Sequence, residues 1–305
     1  MTASDRTLTL YDAFSEVPGG GSVAGVVGTA TGFSAERMQQ VATEVGAPAT
    51  CFVTGVDSGV VDVRFFSTLT EYPMCGHGTI AVFTWLVEEG RLVAGPEPEA
   101  VSWTLRTPGG TATVDVAARA DGRPEVMLAL GPTVAEPCPV DAPEVARLLG
   151  IGVGAVIEPL ALEAASADFT HLVVRVDGLA AIGRLSPDYA AVADLCRRIG
   201  ADTLAVFTTE TSDPAVTIRC RDFCPAVGTP EAAATGTTNR ALACHLVRSG
   251  LADVDADSPV VVVAAQGVEM GRPSLIRTEV VMVDGLPTRL HVGGVATRAS
   301  EGTVR

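Results

Sequence analysis

A chain of 305 residues that is 47% hydrophobic and only 19% charged can fill one large core or two ordinary ones, which excludes a disordered or fibrous protein. Its apolar runs, such as Val260–Ala265, fall far short of the roughly 20 residues that a membrane span requires, so no membrane partner is expected. A formal net charge of -15 with no cluster of Lys or Arg excludes a broad basic face for nucleic acid, yet leaves room for a local seat for a small carboxylate.

Taken in chain order, Met1–Leu10 carries Asp5 and Arg6 and no apolar signal-peptide core, so a cytoplasmic location is expected. Ser34, followed by Glu36, opens a predicted helix over Ala35–Val45 with Met38, Val41, Ala42 and Val45 on one face. Strands are predicted at Thr50–Thr54 and Val60–Phe66, then a helix over Thr79–Glu88 closed by Gly90, then a β-rich stretch at Trp103–Val116. The Pro-rich segment Gly131–Pro139 reads as a linker and sets the expected domains at 1–133 and 134–305, with the last strand returning to the first half. Beyond it, Ser186 is the predicted N-cap of a helix over Asp188–Ile199. Strands at Thr203–Phe207 and Ala215–Cys220 follow, with a helix over Thr238–Arg248 closed by Gly250 and a β-rich stretch at Val260–Val283.

The two series are one series written twice. Gly76, Ala81, Leu86, Val87 and Gly90 recur at one constant offset as Gly236, Ala241, Leu246, Val247 and Gly250. Upstream, Phe33-Ser34 matches Leu185-Ser186, and Val63-Arg64-Phe65-Phe66 matches Cys220-Arg221-Asp222-Phe223, in the same order along the chain. Two similar domains of this kind are expected to face one another across a cleft.

Chemistry concentrates where the second helix of each series begins. Cys75-Gly-His-Gly-Thr79 and Ala234-Thr-Gly-Thr-Thr238 are short Gly-rich turns whose first helical N–H groups lack intrahelical partners and carry the positive end of the dipole. Gly76, Gly78, Thr235, Gly236 and Thr238 are therefore candidate binders of a substrate carboxylate. His77 is the leading acid/base candidate, because an imidazole of pKa about 6.5 gives or accepts a proton at neutral pH. Cys75 is a candidate thiolate at a helix start, although a small buried residue is the plainer reading and its counterpart is Thr235. Asp222, whose first-half counterpart is Phe65, is the odd residue in its strand and joins the catalytic candidates as a carboxylate that could shuttle a proton with His77, while Glu71 and Glu231 read first as surface charge. His171, His245 and His291 read as structural. The seven cysteines, Cys51, Cys75, Cys138, Cys196, Cys220, Cys224 and Cys244, read as free thiols. No second close pair joins Cys220 and Cys224, so no metal is expected.

The same residues resemble the PhzF-like phenazine-biosynthesis family of the diaminopimelate-epimerase fold. The likeness rests on Gly21-Ser-Val-Ala-Gly-Val-Val27, Met38-Gln39, Arg64-Phe-Phe66, Cys75-Gly-His77, Gly228-Thr-Pro-Glu231, Ala234-Thr-Gly236, Asn239 and Gln266–Ser274. The resemblance implies an α/β (α+β) fold of two pseudo-symmetric domains. Each is a curved mixed sheet or barrel around a central helix, with the active site in the interdomain cleft. It also implies a homodimer, no cofactor and acid/base catalysis. Ser22 stands at the asparagine of the family's GNP and Thr237 at a family serine, which places Ser22 in the substrate-binding set and Thr237 beside His77 among the catalytic candidates. Two family carboxylates are replaced, by Ala49 and Ala232. Proline-racemase-like enzymes are similar through Met74–Ile80 but use a second cysteine where this chain has Ala234. The expected activity is therefore a double-bond or proton isomerisation of a small conjugated carboxylic or amino acid in secondary metabolism, with an unsaturated 4-alkylproline precursor as the family branch that fits. An amino-acid epimerase or racemase and a catalytically inactive ligand-binding member are the alternatives.

Overall fold

A computed structural model describes residues 6–96, 99–164, 169–252 and 258–304. The chain divides into two compact units: the chain up to Ala129 together with the segment from Gly293 onward, and Leu130–Val292.

In the first unit the final strand, Ala296–Val304, lies antiparallel to Arg6–Ala13, which is antiparallel to Ser22–Val27. Ser22–Val27 runs parallel to Ala49–Asp57, and that step requires a crossover, supplied by helix α1, Ala35–Val45. The Ser34 hydroxyl caps α1 by accepting the Arg37 N–H at 3.3 Å. Its apolar stripe of Met38, Val41 and Ala42 packs on Phe52 and Phe66. Ala49–Asp57 returns as Val60–Phe66, which carries the two-residue strand Glu71–Tyr72 and runs parallel to Val101–Thr107. Helix α2, Gly76–Glu88, makes that second crossover, and Gly110–Ala118 and Pro124–Leu130 extend the sheet. Every residue of α2 from Gly78 to Leu86 is buried, so α2 is the central helix rather than an amphipathic cover.

The second unit repeats this order. Val134–Glu136 pairs antiparallel with Val156–Ala164 and that strand with His171–Val176, with helix α3, Ala142–Leu149, in the connection. His171–Val176 runs parallel to Thr203–Thr208 through helices α4, Gly178–Gly183, and α5, Tyr189–Ile199. Thr203–Thr208 pairs with Ile218–Phe223, which carries the two-residue Glu231–Ala232 and runs parallel to Val260–Gln266 across helix α6, Gly236–Arg248. A hairpin to Ser274–Val283 follows. Strand alternation divides the core in two. Leu172, Val174, Leu204, Val206 and Phe223 face α3 to α5, whereas Val173, Ala205, Phe207, Ile218 and Cys220 face α6. The repeat in sequence is thus a repeat of topology, and each unit is a mixed sheet around one buried helix.

Several elements differ from expectation for identifiable reasons. Both central helices start earlier than predicted, at Gly76 and Gly236. Cys75 and Thr235 are extended, and their carbonyls accept the Thr79 and Asn239 N–H groups at 2.9 and 3.2 Å. Burial of the whole helix outweighs the propensity cost of the glycines. Asp188, not Ser186, caps α5, accepting the Ala191 N–H at 3.1 Å. The strand expected at Ala215–Cys220 begins at Ile218, because the Thr211 hydroxyl and the Asp213 carboxylate close a turn through Val216. The supposed linker contains the strand Val134–Glu136, and α3 and α4 had no predicted counterpart.

Candidate active site

At the start of α2, Cys75 is the N-cap residue and His77 stands in the first turn, with Cys75 Sγ 3.4 Å from His77 Nδ1. Burial pushes the Cys75 thiol up to about 12, only partly offset by the Gly78 N–H, so it is a neutral thiol at physiological pH. Burial pushes the half-buried His77 imidazole the other way, down to about 4, so it is neutral and able to accept a proton. Gly78 is required by close packing: a Cβ there would sit 2.8 Å from Cys51 Sγ and 3.0 Å from Phe65 Cδ1. At Gly76 a Cβ would meet nothing within 4 Å.

The start of α6 is built differently. Asp222 is 1% exposed, and its Oδ2 accepts the hydroxyls of Thr235 at 2.9 Å and Thr238 at 2.8 Å. Burial raises the Asp222 pKa against the opposing effect of the Thr238, Thr203 and Thr235 hydroxyls. His171 joins this cluster, with Nδ1 2.8 Å from the Thr203 hydroxyl and 3.5 Å from that of Thr238. Burial, with the Arg240 cation second, pushes His171 down to about 3. Next along α6, Asn239 donates to Gln266 Oε1 at 2.8 Å, and Gln266 donates to the Ala232 carbonyl at 2.7 Å and to the Thr235 hydroxyl at 3.2 Å.

Each short strand leading to a central helix is tied down by an arginine. Arg64 bonds Glu71 through Nε and a terminal nitrogen, both at 2.7 Å, and Arg221 bonds Glu231 likewise at 2.9 and 2.8 Å. The guanidinium groups also lie over Phe66 and Phe223, at 5.3 and 4.8 Å from the ring centroids. Glu71 and Glu231 are therefore ion-pair partners, not free surface acids.

Of the other residues singled out in the sequence, Ser22 is half-buried and opens its strand opposite Ala13. Thr237 is half-buried in the first turn of α6, while the hydroxyls on Asp222 come from its neighbours Thr235 and Thr238. Ala49 is fully buried beside Ala24, and Ala232 lies directly opposite Asp222 in register. His245 Nδ1 lies 3.5 Å from Glu163 at the far end of α6, and His291 is half-buried in the strand Leu286–Gly294. Sequence reasoning missed the His171–Thr203 contact and both arginine clamps. The repeated Arg-x-Phe was a visible signal for the clamps, and nothing local signalled the His171 contact. All seven cysteines are unpaired. Among the described residues no group of three or more His, Cys, Asp or Glu could hold a metal ion. No described helix is long and apolar enough to cross a membrane.

Two copies of one mixed-sheet topology, each with a Gly-opened central helix, give the diaminopimelate-epimerase-like fold. Residues 11–302 match the phenazine biosynthesis-like protein family, PhzC-PhzF, and the chain belongs to that family of PhzF-type isomerases. It is 30% identical over 301 residues to an uncharacterized isomerase of Deinococcus radiodurans, covering 95% of this chain and 92% of the relative. Identity to the trans-2,3-dihydro-3-hydroxyanthranilate isomerase of Pseudomonas chlororaphis is 27% over 307 residues, covering 97% and 98%. The crystal structure of a Bacillus anthracis PhzF-family phenazine biosynthesis protein superposes with a TM-score of 0.86 at 24% identity, covering 99% of each chain.

Proposed function

We propose that this protein shifts a proton, and with it a double bond, on a small conjugated carboxylic or amino acid without a cofactor, an unsaturated 4-alkylproline precursor being the favoured substrate branch. The carrying observation is His77, a neutral imidazole in the first turn of a central helix. As base it takes a proton from a vinylogous carbon while the C–H electron pair enters the conjugated system. It then returns that proton to a second carbon, so the enzyme ends as it began. Such a C–H is acidic enough for an imidazole, which fits a chain with alanines at 49 and 232. The start of α6 is the proposed seat of the substrate carboxylate, with amides of Gly236 and Thr237 as donors.

The epimerase alternative is disfavoured by its own chemistry, since Ala234 supplies no second thiol and Cys75 is held protonated. Seven unpaired cysteines support a reducing, cytoplasmic setting, and family membership supports a homodimer. The test is incubation in heavy water with conjugated dienoic amino acids, 4-alkenyl dehydroprolines among them, followed by ultraviolet absorbance and mass spectrometry. Deuterium at a remote carbon with a spectral shift is the expected result, and exchange at the α-carbon alone would overturn it. His77→Ala is expected to lower turnover by about 10²-fold or more; retained turnover removes His77 from the role.

A further inference from the structure

Among the described residues, four helices have an early amide taken by a side chain. The Ser34 hydroxyl accepts from Arg37 in α1 at 3.3 Å, Asp141 from Glu144 in α3 at 2.9 Å, Glu210 from Leu179 in α4 at 2.8 Å, and Asp188 from Ala191 in α5 at 3.1 Å. The two central helices have no side-chain cap. In α2 the N-cap is Cys75, and sulfur is a weak acceptor. In α6 it is Thr235, a residue of good capping chemistry, so its failure to cap needs a cause. That cause is visible: the Thr235 hydroxyl is turned inward, donating to Asp222 Oδ2 at 2.9 Å and accepting from Gln266 Nε2 at 3.2 Å, while the Thr238 hydroxyl donates to the same carboxylate oxygen at 2.8 Å. The other oxygen of Asp222, Oδ1, is buried with no hydrogen-bond partner.

The fold itself does not call for this arrangement. Asp222 stands opposite Ala205 and Ala232 in its ladder, as Phe65 stands opposite Cys51 and Tyr72 in the first unit. His171 pairs with Thr203 as Ala24 pairs with Ala49. The first unit therefore closes the same topology with Ala24, Ala49, Phe65 and Gly78 where the second has His171, Thr203, Asp222 and Thr238. A buried carboxyl with one orphaned oxygen is a costly way to fill a place that a phenyl ring fills in the sister unit.

Building on the start of α6 as the carboxylate seat, we propose that Asp222 is a positioning residue that keeps α6 uncapped. By drawing the Thr235 hydroxyl inward, it leaves the Thr238 amide, the one a Thr235 cap would take by the spacing seen in α1, α3 and α5, free to join those of Gly236 and Thr237 in holding the carboxylate of a small conjugated acid. The effect is on binding more than on chemistry, so KM moves and kcat follows only weakly.

The experiment is an amide NMR titration of the full-length protein with anthranilate as the carboxylate probe, following Gly236 and Thr237. Wild type is expected to show saturable shifts at both amides. In Asp222→Ala the Thr235 hydroxyl keeps only its 3.2 Å contact from Gln266 and can turn to cap the Thr238 amide, and binding should weaken about five- to tenfold, the scale of one N-cap. Adding Thr235→Val to that variant removes the competing cap and should bring affinity back to within about threefold of wild type. Asp222→Asn, which keeps the shape and an acceptor for the Thr235 hydroxyl, guards against loss of fold and should also stay within about threefold. Equal affinity in wild type and Asp222→Ala overturns the positioning role, as does a double variant no better than the single one or a folded Asp222→Asn that has lost binding. If the wild-type Gly236 and Thr237 amides do not respond, the carboxylate seat itself is wrong and the role of Asp222 falls with it.

Discussion

His171 offers a quantitative test of the buried polar cluster beneath α6. Its side chain is 0% exposed, and burial holds the imidazole at about 3 in the folded protein against 6.5 for the free group. A histidine with a depressed folded-state pKa contributes stability that is present above 6.5 and is lost as the pH falls through that window toward about 3. Each pH unit within the window costs about 1.4 kcal/mol, so at about pH 5 the loss from this residue is about 2 kcal/mol. The perturbation is His171→Gln, which keeps an acceptor for the Thr203 hydroxyl and does not titrate. The assay is urea unfolding of both proteins between about pH 7.5 and about pH 5, read as the difference of the two slopes. His77, depressed to about 4, and Asp222, raised and therefore of opposite sign, are common to both proteins and drop out of that difference. Wild type should lose about 2 kcal/mol more than the variant over this range. Superimposable pH profiles would show that His171 is as readily protonated folded as unfolded, and the burial argument would be refuted.

Two further outcomes follow from close contacts. Gly78→Ala should destabilise by about 1–3 kcal/mol, because the new methyl meets Cys51 and Phe65, whereas Gly76→Ala in open space should change stability by less than about 0.5 kcal/mol in the same denaturation assay. Arg221→Ala leaves Glu231 buried without its partner and should cost about 3–5 kcal/mol. Arg64→Ala, in a pair whose side chains are 27% and 29% exposed, should cost about 1 kcal/mol, and equal losses at the two clamps would contradict the burial account.

The local grammar of the chain was legible where one segment settles its own structure. Ser34 with the stripe of Met38, Val41 and Ala42 marked α1 to the residue, since cap and stripe lie within eleven residues. The starts of α2 and α6 were placed late because glycine argues against helix in isolation, while here the helix is held by burial on all sides. The arginine clamps escaped notice for another reason. Arg64 and Arg221 repeat visibly, but their glutamates follow after different gaps, and only the register of Phe66 with Glu71 and Phe223 with Glu231 brings the pairs together. Asp222 was recognisable as out of place, yet the Thr235 and Thr238 hydroxyls that bond it belong to the start of α6, thirteen and sixteen residues on. A lone His171 looked structural, and it is buried, but in contact with the hydroxyls around that carboxyl.

The return of Ala296–Val304 to pair with Arg6–Ala13 bears on how the protein is made. The second unit is one uninterrupted stretch, so it can fold as soon as that stretch has left the ribosome. The first unit, although its other strands are synthesised earlier, lacks an edge partner for Arg6–Ala13 until Ala296–Val304 has been made. During that interval Arg6–Ala13 presents unpaired backbone groups on one side, the kind of edge on which chains stick to one another. Vectorial synthesis therefore finishes these two units in reverse order, the later one first, and Ala296–Val304 closes a unit whose other strands were made well before it.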